Sequence, residues 1–287
     1  MKVSELLTET ARGFRRAQLH FGHGTGNARD EAAWLVAHVL GVHPGELHAH
    51  RERALNPREA RRVQALAARR VRERIPLAYL LHEAWLDGRR FHVDRRVIVP
   101  RSFISEVLRD GLRPWLRRGV RRALDLCTGG GCLAVLLAQA FPRARVDAAD
   151  FSAAALQVAR RNVRDHGVAT RVRLVRSDLF DALGAACYDL IVTNPPYVDA
   201  KTMNSLPPEY DYEPRSALAA GADGLDLVRR ILRDAPAHLA PRGLLVCEVG
   251  DARRALERAY RRTPFVWIET SEPRSCVFAL AREAVAP

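Results

Sequence analysis

The sequence has little lysine, few aromatic side chains and no long apolar run. Lysine occurs only as Lys2 and Lys201, so 44 of the 46 basic residues among the 287 are arginine. Aromatic residues make up 7% of the chain, but 48% of it is hydrophobic, which excludes a disordered polyelectrolyte. The longest apolar runs, such as residues 133–138, fall far short of the roughly 20 residues that a membrane span needs. We therefore expect a folded protein that does not cross a membrane.

Cysteine is also scarce. The five cysteines are an odd number scattered along a long chain, which argues against a disulfide framework. The first residues soon become polar, so the sequence predicts no secretory signal peptide. A loose group of His43, Glu46, His48 and His50 does not have the spacing of a metal site, and we expect no metal. These features predict a soluble, cytoplasmic protein.

Positive charge is the main excess, with a formal net charge of +13. Residues 51–74 carry nine arginines and three glutamates, and a second basic cluster follows later. A cationic surface favours nucleic acid, the ribosome or acidic partners, whereas GC-rich coding would explain only the preference for arginine over lysine. Contact with a partner and simple solvation both remain open for these two clusters. The second cluster comprises Arg113, Arg117, Arg118, Arg121 and Arg122.

The chain divides into three parts by its local patterns. Residues 1–75 are helical in pattern: Asn27 precedes one apolar stripe that stops at Gly41, and Asn56 begins a second helix that extends to about Arg74. Residues 76–100 contain a predicted hairpin around Asp87-Gly88, followed by an extended stretch. We expect a small helical domain for substrate recognition, a hairpin linker, and a larger domain over residues 101–287.

The larger domain alternates short apolar runs with helix-length segments. The runs cover residues 123–127, 145–149, 171–175, 189–193 and 244–249, which predicts a doubly wound, mostly parallel α/β sheet. Residues 265–270 and 275–280 flank Glu272-Pro273-Arg274 and predict an antiparallel pair at the end. The fold class is therefore a Rossmann-like α/β domain with a small helical domain in front.

A glycine-rich turn follows the first of these strands and indicates a ligand site. Glycines between a strand and a helix let the backbone approach a ligand closely. The spacing is not that of a dinucleotide fingerprint, and an acid here would repel a pyrophosphate. An acid beside this turn suits a cofactor that carries an ammonium group. The candidate residues are Asp125, Cys127, Thr128, Gly129, Gly130 and Gly131.

Polar residues follow the next two strands as well. Asp150 ends the second strand, where a carboxylate can accept both hydroxyls of a ribose. Asp178 and Leu179 follow the third strand and are placed to border an adenine ring. Each aspartate alone could be an ordinary helix cap, but three consecutive strand ends together favour a nucleoside cofactor.

Asn194-Pro195-Pro196-Tyr197 follows the next strand directly and is the strongest signal. The prolines could simply form a turn, but the carboxyl end of a parallel strand is where such sheets bind ligands. Because proline fixes the backbone, the Asn194 side-chain oxygen and a backbone carbonyl can face one point rigidly. Two fixed acceptors and an aromatic ring form a pocket for a planar –NH2 group.

These motifs resemble class I S-adenosylmethionine methyltransferases that modify amide or exocyclic nitrogens. Over nearly the whole chain, the sequence resembles the protein-(glutamine-N5) methyltransferase family, whose branches act on release factors or on the third large-subunit ribosomal protein. Val99-Pro100-Arg101-Ser102 and Cys127 favour the ribosomal branch. The resemblance implies S-adenosylmethionine at the glycine turn, Asp150 and Leu179, with Asn194 shared between cofactor and substrate.

The resemblance further implies that Arg101 and the Asn194–Tyr197 motif bind the glutamine-bearing protein. Contact with ribosomal RNA or an assembly intermediate is a further expectation from the charge. A release-factor substrate is the alternative within the family, and a nucleic-acid amino (adenine N6) methyltransferase is the alternative outside it. The helical domain and hairpin favour a protein substrate over a flipped base.

Overall fold

The computed structural model describes residues 1–109, 112, 115–116, 119–271 and 276–285. Arg113, Arg117 and Arg118 of the second basic cluster and the turn Glu272-Pro273-Arg274 lie outside the described residues. Within them the helices are α1 (Val3–Arg16), α2 (Ala28–Leu40), α3 (Pro57–Glu73), α4 (Leu77–Leu81), α5 (Ile104–Arg109), α6 (Cys132–Ala140), α7 (Ala153–Asp165), α8 (Ala200–Met203), α9 (Asp226–His238) and α10 (Arg253–Ala259).

The described strands form a hairpin and a seven-stranded sheet. They are β1 (Ala84–Leu86), β2 (Arg89–Phe91), β3 (Arg122–Leu126), β4 (Arg145–Asp150), β5 (Val172–Arg176), β6 (Tyr188–Thr193), β7 (Leu239–Glu248), β8 (Val266–Ile268) and β9 (Val277–Ala281). The large sheet has the order β5-β4-β3-β6-β7-β9-β8, in which β9 runs antiparallel to both neighbours. This confirms the Rossmann-like fold, with the last strand inserted between β7 and β8.

The predicted capping residues mark the helices of the N-terminal region. Asn27 accepts hydrogen bonds from the first turn of α2, and Gly41 ends that helix in the left-handed region with φ of 69°. Asn56 and Glu59 form a capping box at α3, whose C-cap is Arg74. Thus a short polar residue before each helix sets where it begins.

The segment between the helices and the large sheet differs from the prediction in one element. Residues 77–81 form the short helix α4, which the hairpin prediction did not include. The hairpin itself pairs Ala84 with Phe91, and Asp87 and Gly88 have φ of 50° and 69°, as its two-residue turn requires. None of the described helices is long and apolar enough to pass through a bilayer.

The apolar core of the N-terminal helices continues onto the large domain. Phe14 and Leu35 are fully buried in one cluster that also contains Val99 from the linker and Val158 from α7. Because this cluster draws residues from all three predicted parts, the helices pack directly against the sheet domain. The remaining apolar residues of that domain cover the two faces of the sheet.

Candidate active site

The glycine turn connects β3 to α6 with an unusual backbone. Cys127, Gly129 and Gly131 have φ of 60°, 53° and 79°, in the left-handed region that suits glycine. A Cβ on Gly131 would lie 3.0 Å from the Cβ of Ala159 in α7, so a larger residue there would press against that helix. The Thr128 N–H donates to the Ala149 carbonyl at 2.9 Å and ties the turn to β4.

Asp125 lies beneath this turn. Its side chain is fully buried and accepts a hydrogen bond from the Thr128 hydroxyl. Burial raises the pKa of Asp125 to about 7. Asp125 is not one of the described residues that line the cavity beside the turn, so the structure shows it supporting the turn. Its contact with a cofactor ammonium group stays a prediction.

Asp150 faces the cavity at the end of β4. Its carboxylate accepts hydrogen bonds from the Gly129 N–H at 2.8 Å and the Ser152 N–H at 2.9 Å. Burial raises its pKa, and those two donors oppose the shift. The carboxylate is thus fixed at the rim, where it can accept further hydrogen bonds from a ligand.

Apolar and polar residues from four strand ends surround the cavity. Leu179 is buried there with φ of 47°, and Asp178 lies beside it within 3.0 Å of the Arg230 guanidinium. Phe151, which sequence reasoning missed, is 53% exposed directly after Asp150. The cavity lining includes Val97, Ile98, Leu126, Cys127, Gly129, Asp150, Phe151, Leu179, Asn194, Pro196, Pro214 and Ala217.

Asn194 lies at the end of β6, on the same cavity as Asp150. The Thr193 hydroxyl donates to the Leu126 carbonyl at 2.8 Å, which holds the ends of β6 and β3 together. Pro195 and Pro196 are buried, so the turn is packed as well as restricted by its rings. The Asn194 side-chain oxygen is itself buried and has no hydrogen-bond partner within the described parts of the chain. A buried acceptor without a partner is costly and is available to a donor from a ligand.

Two glycines leave the space that Tyr197 occupies. A Cβ on Gly250 would lie 2.4 Å from Cε2 of the Tyr197 ring, and a Cβ on Gly224 would lie 2.4 Å from the Tyr197 carbonyl oxygen. Burial raises the pKa of the Tyr197 hydroxyl well above its usual range, so it stays protonated. The ring therefore occupies a position that only glycine neighbours permit.

Arg101 is engaged by a partner that the sequence did not reveal. Its two terminal nitrogens donate to the two oxygens of Glu213, each at 2.6 Å. The Glu213 side chain is fully buried, and it also accepts from the Val99 N–H at 3.0 Å. The predicted contact of Arg101 with substrate stays a prediction, since the structure shows its guanidinium used in this ion pair.

Glu248 is a second functional candidate that the sequence did not indicate. It ends β7 directly after Cys247, the register partner of Thr193, so it lies beside the Asn194 turn. It accepts hydrogen bonds from the Ser102 hydroxyl at 2.7 Å and the Phe103 N–H at 2.9 Å. Burial raises the pKa of Glu248 to about 7. An acid at the end of β7, the strand beside β6, was the available signal.

The fold is shared with solved methyltransferase structures. The catalytic domain of hMettl16, solved in complex with the MAT2A 3′UTR hairpin 6, superimposes with a TM-score of 0.52 over 79% of this chain and 81% of that chain, at 19% identity. Two family models also match: the methyltransferase small domain over residues 105–206 and the PrmC N-terminal domain over residues 5–81.

Curated relatives match almost the entire chain. The ribosomal protein uL3 glutamine methyltransferase of Bordetella pertussis is 51% identical, over 98% of this chain and 95% of its own length. The protein of the same name from Neisseria meningitidis serogroup B is 49% identical over 98% of this chain and 93% of its own length. The protein of the same name from Bradyrhizobium diazoefficiens is 48% identical over 93% of this chain and 86% of its own length. By this identity and coverage, the chain belongs to the family of ribosomal protein uL3 glutamine methyltransferases.

Proposed function

We propose that this chain methylates the side-chain nitrogen of a glutamine in ribosomal protein uL3, with S-adenosylmethionine as the methyl donor. The observation that carries the proposal is the buried, unpartnered oxygen of Asn194 in the cavity that Asp150 also lines. The names of the relatives supply the protein substrate. Since uL3 is a ribosomal protein, we place the reaction in the cytoplasm.

The residues around the cavity fit S-adenosylmethionine. Two backbone N–H groups fix the Asp150 carboxylate at the cavity rim. Its oxygens can accept further hydrogen bonds from the two ribose hydroxyls. Leu179 and Phe151 offer apolar surface for an adenine ring. Asn194 lines the same cavity from β6, so it can contact the cofactor and the incoming amide together. When bound, S-adenosylmethionine supplies an electrophilic methyl group on a sulfonium.

The protein's main contribution to the reaction is orientation of the amide nitrogen. An amide is a poor nucleophile because its lone pair is delocalised into the carbonyl. The Asn194 oxygen can accept one N–H of the glutamine –NH2, and the Pro195 carbonyl can accept the other. These bonds increase electron density on nitrogen and fix the direction of attack. Tyr197 is not among the described residues that line the cavity, and we assign it to the glutamine side of the Asn194 turn, where its ring face would tolerate a cationic methyl group.

Mass spectrometry of candidate substrates tests the proposed function. Purified uL3, a peptide-chain release factor and ribosomal RNA are each incubated with the enzyme and S-adenosylmethionine, and their masses before and after incubation are compared. We expect one added methyl group on uL3, located by fragmentation to a glutamine. Methylation of the release factor alone would establish the alternative branch, and methylation of neither protein but of RNA would establish a nucleic-acid methyltransferase.

We further propose that the exposed arginine face of α3 contacts ribosomal RNA during this reaction. Five arginines share one side of the helix at intervals of three, four and seven residues, and all are exposed: Arg58, Arg61, Arg62, Arg69 and Arg72. Glu73 pairs with Arg69 and Arg72. The other three have no carboxylate partner among the residues that the structure describes. A row of unpaired guanidinium groups suits a phosphate backbone.

The salt dependence of RNA binding tests this surface. Arg58→Gln, Arg61→Gln and Arg62→Gln combined should weaken binding to ribosomal RNA and lower the slope of log affinity against log salt by about 2–3. A matched control replaces three exposed arginines elsewhere, Arg258, Arg261 and Arg262. An equal change in slope for both triple variants would show that only the net charge matters.

A further inference from the structure

Residues 207–220, here called the linking segment, connect the N-terminal helices to the cofactor cavity. The segment contains two short 3-10 turns, Pro208–Tyr212 and Arg215–Ala217. Its first half reaches the N-terminal helices, while Pro214, Ser216 and Ala217 line the cavity. Only Glu213 lies between Tyr212, the end of the first turn, and Pro214, the first residue of the segment that lines the cavity.

Glu209 anchors the first half among residues of the helical region. Its side chain is fully buried, and one oxygen accepts from the His20 N–H at 2.9 Å and lies 2.8 Å from the Arg74 guanidinium. Arg70, also fully buried, lies 3.5 Å from the same oxygen and donates to Glu31 at 2.7 Å. Buried charges of this kind keep their geometry, because loss of one partner leaves the other uncompensated.

Two further contacts extend the anchor along the segment. The Tyr212 hydroxyl donates to the Glu73 carbonyl at the end of α3, at 2.6 Å. The Glu213 carboxylate accepts hydrogen bonds from both terminal nitrogens of Arg101 and from the Val99 N–H. The next residue, Pro214, is the first residue of the linking segment that lines the cofactor cavity. The wall is therefore fixed within one residue of an ion pair whose carboxylate, Glu213, is fully buried.

The far end of the linking segment joins the Asn194 motif. The Val198 N–H donates to the Leu218 carbonyl and the Ala220 N–H donates to the Val198 carbonyl, both at 2.9 Å. Val198 directly follows Tyr197. The segment thus contacts the helical region, the cofactor cavity and the glutamine pocket in turn.

We propose that Glu209 and Glu213 are positioning residues, which hold the cofactor-cavity wall in place from the side of the helical region. Neither is among the described residues that line the cavity, so each acts through the backbone of the linking segment. A partner that shifts α3 or the stretch around His20 would move Glu209 and thereby change cofactor affinity. By linkage, cofactor binding would change affinity for that partner equally. This inference rests on the proposed cofactor.

Calorimetric titration of the full chain with S-adenosylmethionine tests the proposal. We expect Glu209→Gln to weaken binding by roughly fivefold to tenfold, within the usual range for residues that transmit coupling without touching ligand. In steady state, the KM for cofactor should rise while kcat at saturating cofactor stays near the parent value. Tyr212→Phe removes a single hydrogen bond, and we expect it to produce a smaller change in the same direction. If Glu209→Gln does not fold, Tyr212→Phe alone tests the positioning role.

Glu83→Gln is the matched control. Glu83 is a buried carboxylate that accepts hydrogen bonds from the indole N–H groups of Trp34 and Trp85, and it lies outside the linking segment. We expect it to lower the unfolding temperature and leave cofactor affinity unchanged. Folded Glu209→Gln and Tyr212→Phe proteins that bind as tightly as the parent would overturn the positioning role alone. A parent protein that does not bind S-adenosylmethionine would instead contradict the proposed cofactor, and the positioning role with it.

Discussion

The Asn194 oxygen is the sharpest test of chemistry at the residue scale. We expect Asn194→Ala to slow single-turnover methyl transfer by 10²–10³, roughly 2.7–4 kcal/mol, the usual cost of one preorganised polar contact. The buried oxygen has no hydrogen-bond partner among the residues that the structure describes, so its removal should not destabilise the fold. Asn204→Ala, at an exposed helix end, is the control. A rate within about threefold of the parent would leave the motif as a structural turn.

Asp150 is the corresponding test for the cofactor. Asp150→Ala removes the carboxylate assigned to the ribose hydroxyls, and we expect S-adenosylmethionine binding to weaken by about 2–3 kcal/mol. Asp165→Ala changes an exposed acid of α7, so it should leave affinity unchanged. Calorimetry on both folded variants measures the difference. Equal affinities would remove Asp150 from the binding site.

Glu248 makes a prediction about pH. Its ordinary pKa of 4.5 rises to about 7 in the fold, so the native state holds a proton that the unfolded chain releases between these values. Stability from this group is complete below pH 4.5 and is lost as pH rises through 7. The stability of Glu248→Gln relative to the parent should therefore rise by about 3 kcal/mol between pH 4 and pH 8. Urea unfolding across that range measures it, and a difference independent of pH would contradict the buried, protonated acid.

Residues at strand ends could be predicted from the sequence, and their long-range partners could not. The sequence places Asp150 and Asn194 at strand ends because a strand and the turn after it are local patterns. Glu213 lies 112 residues from Arg101, and Glu248 lies 146 residues from Ser102. Only the packed fold brings such pairs together. For this reason the sequence predicts a substrate contact for Arg101 but does not reveal its bidentate partner, Glu213.

At the scale of elements, the cost of replacing glycine by alanine tests how tightly Tyr197 is packed. Gly250→Ala would place a methyl group 2.4 Å from the Tyr197 ring, with φ of 47° at that position. Gly184→Ala has a comparable φ of 57° and open space around it, so it isolates the backbone strain from the collision. We expect Gly250→Ala to cost about 1–3 kcal/mol more in the free energy of unfolding, with a larger loss of methyl transfer. Equal losses for the two variants would show that Tyr197 adapts freely.

The element boundaries were the most predictable part of the fold. Caps at Asn27 and Asn56, the stop at Gly41 and the Asp87-Gly88 turn are all local chemistry, and each marks an observed boundary. Helix α4 was not predicted, because five apolar residues after a proline carry no periodicity that distinguishes a short helix from an extended run. The role of the linking segment was missed for a different reason, because its turns are fixed by side chains far away in the sequence.

At the scale of the whole molecule, the sequence predicts a separable helical domain, since no cofactor motif falls within residues 1–75. The structure adds a shared apolar cluster and a set of buried charges between this region and the rest. The division into three parts stays a prediction, but these contacts show that the parts are not energetically independent. Cofactor affinity in a chain that lacks residues 1–75 should therefore fall, because Glu209 would lose His20, Arg70 and Arg74 together.

A double-mutant cycle between Arg74 and Glu209 measures this connection directly. The two groups are 2.8 Å apart and Glu209 is fully buried, so loss of Arg74 leaves this carboxylate, among the described residues, with only the longer ion-pair contact to Arg70, 3.5 Å away. We expect the free energies of unfolding of Arg74→Ala and Glu209→Ala to be non-additive by about 1–3 kcal/mol. Arg233→Ala, which removes an exposed pair with Asp234, should combine with Glu209→Ala additively. If the Arg74 cycle is additive too, the helical region packs against the sheet domain without charge coupling through the linking segment.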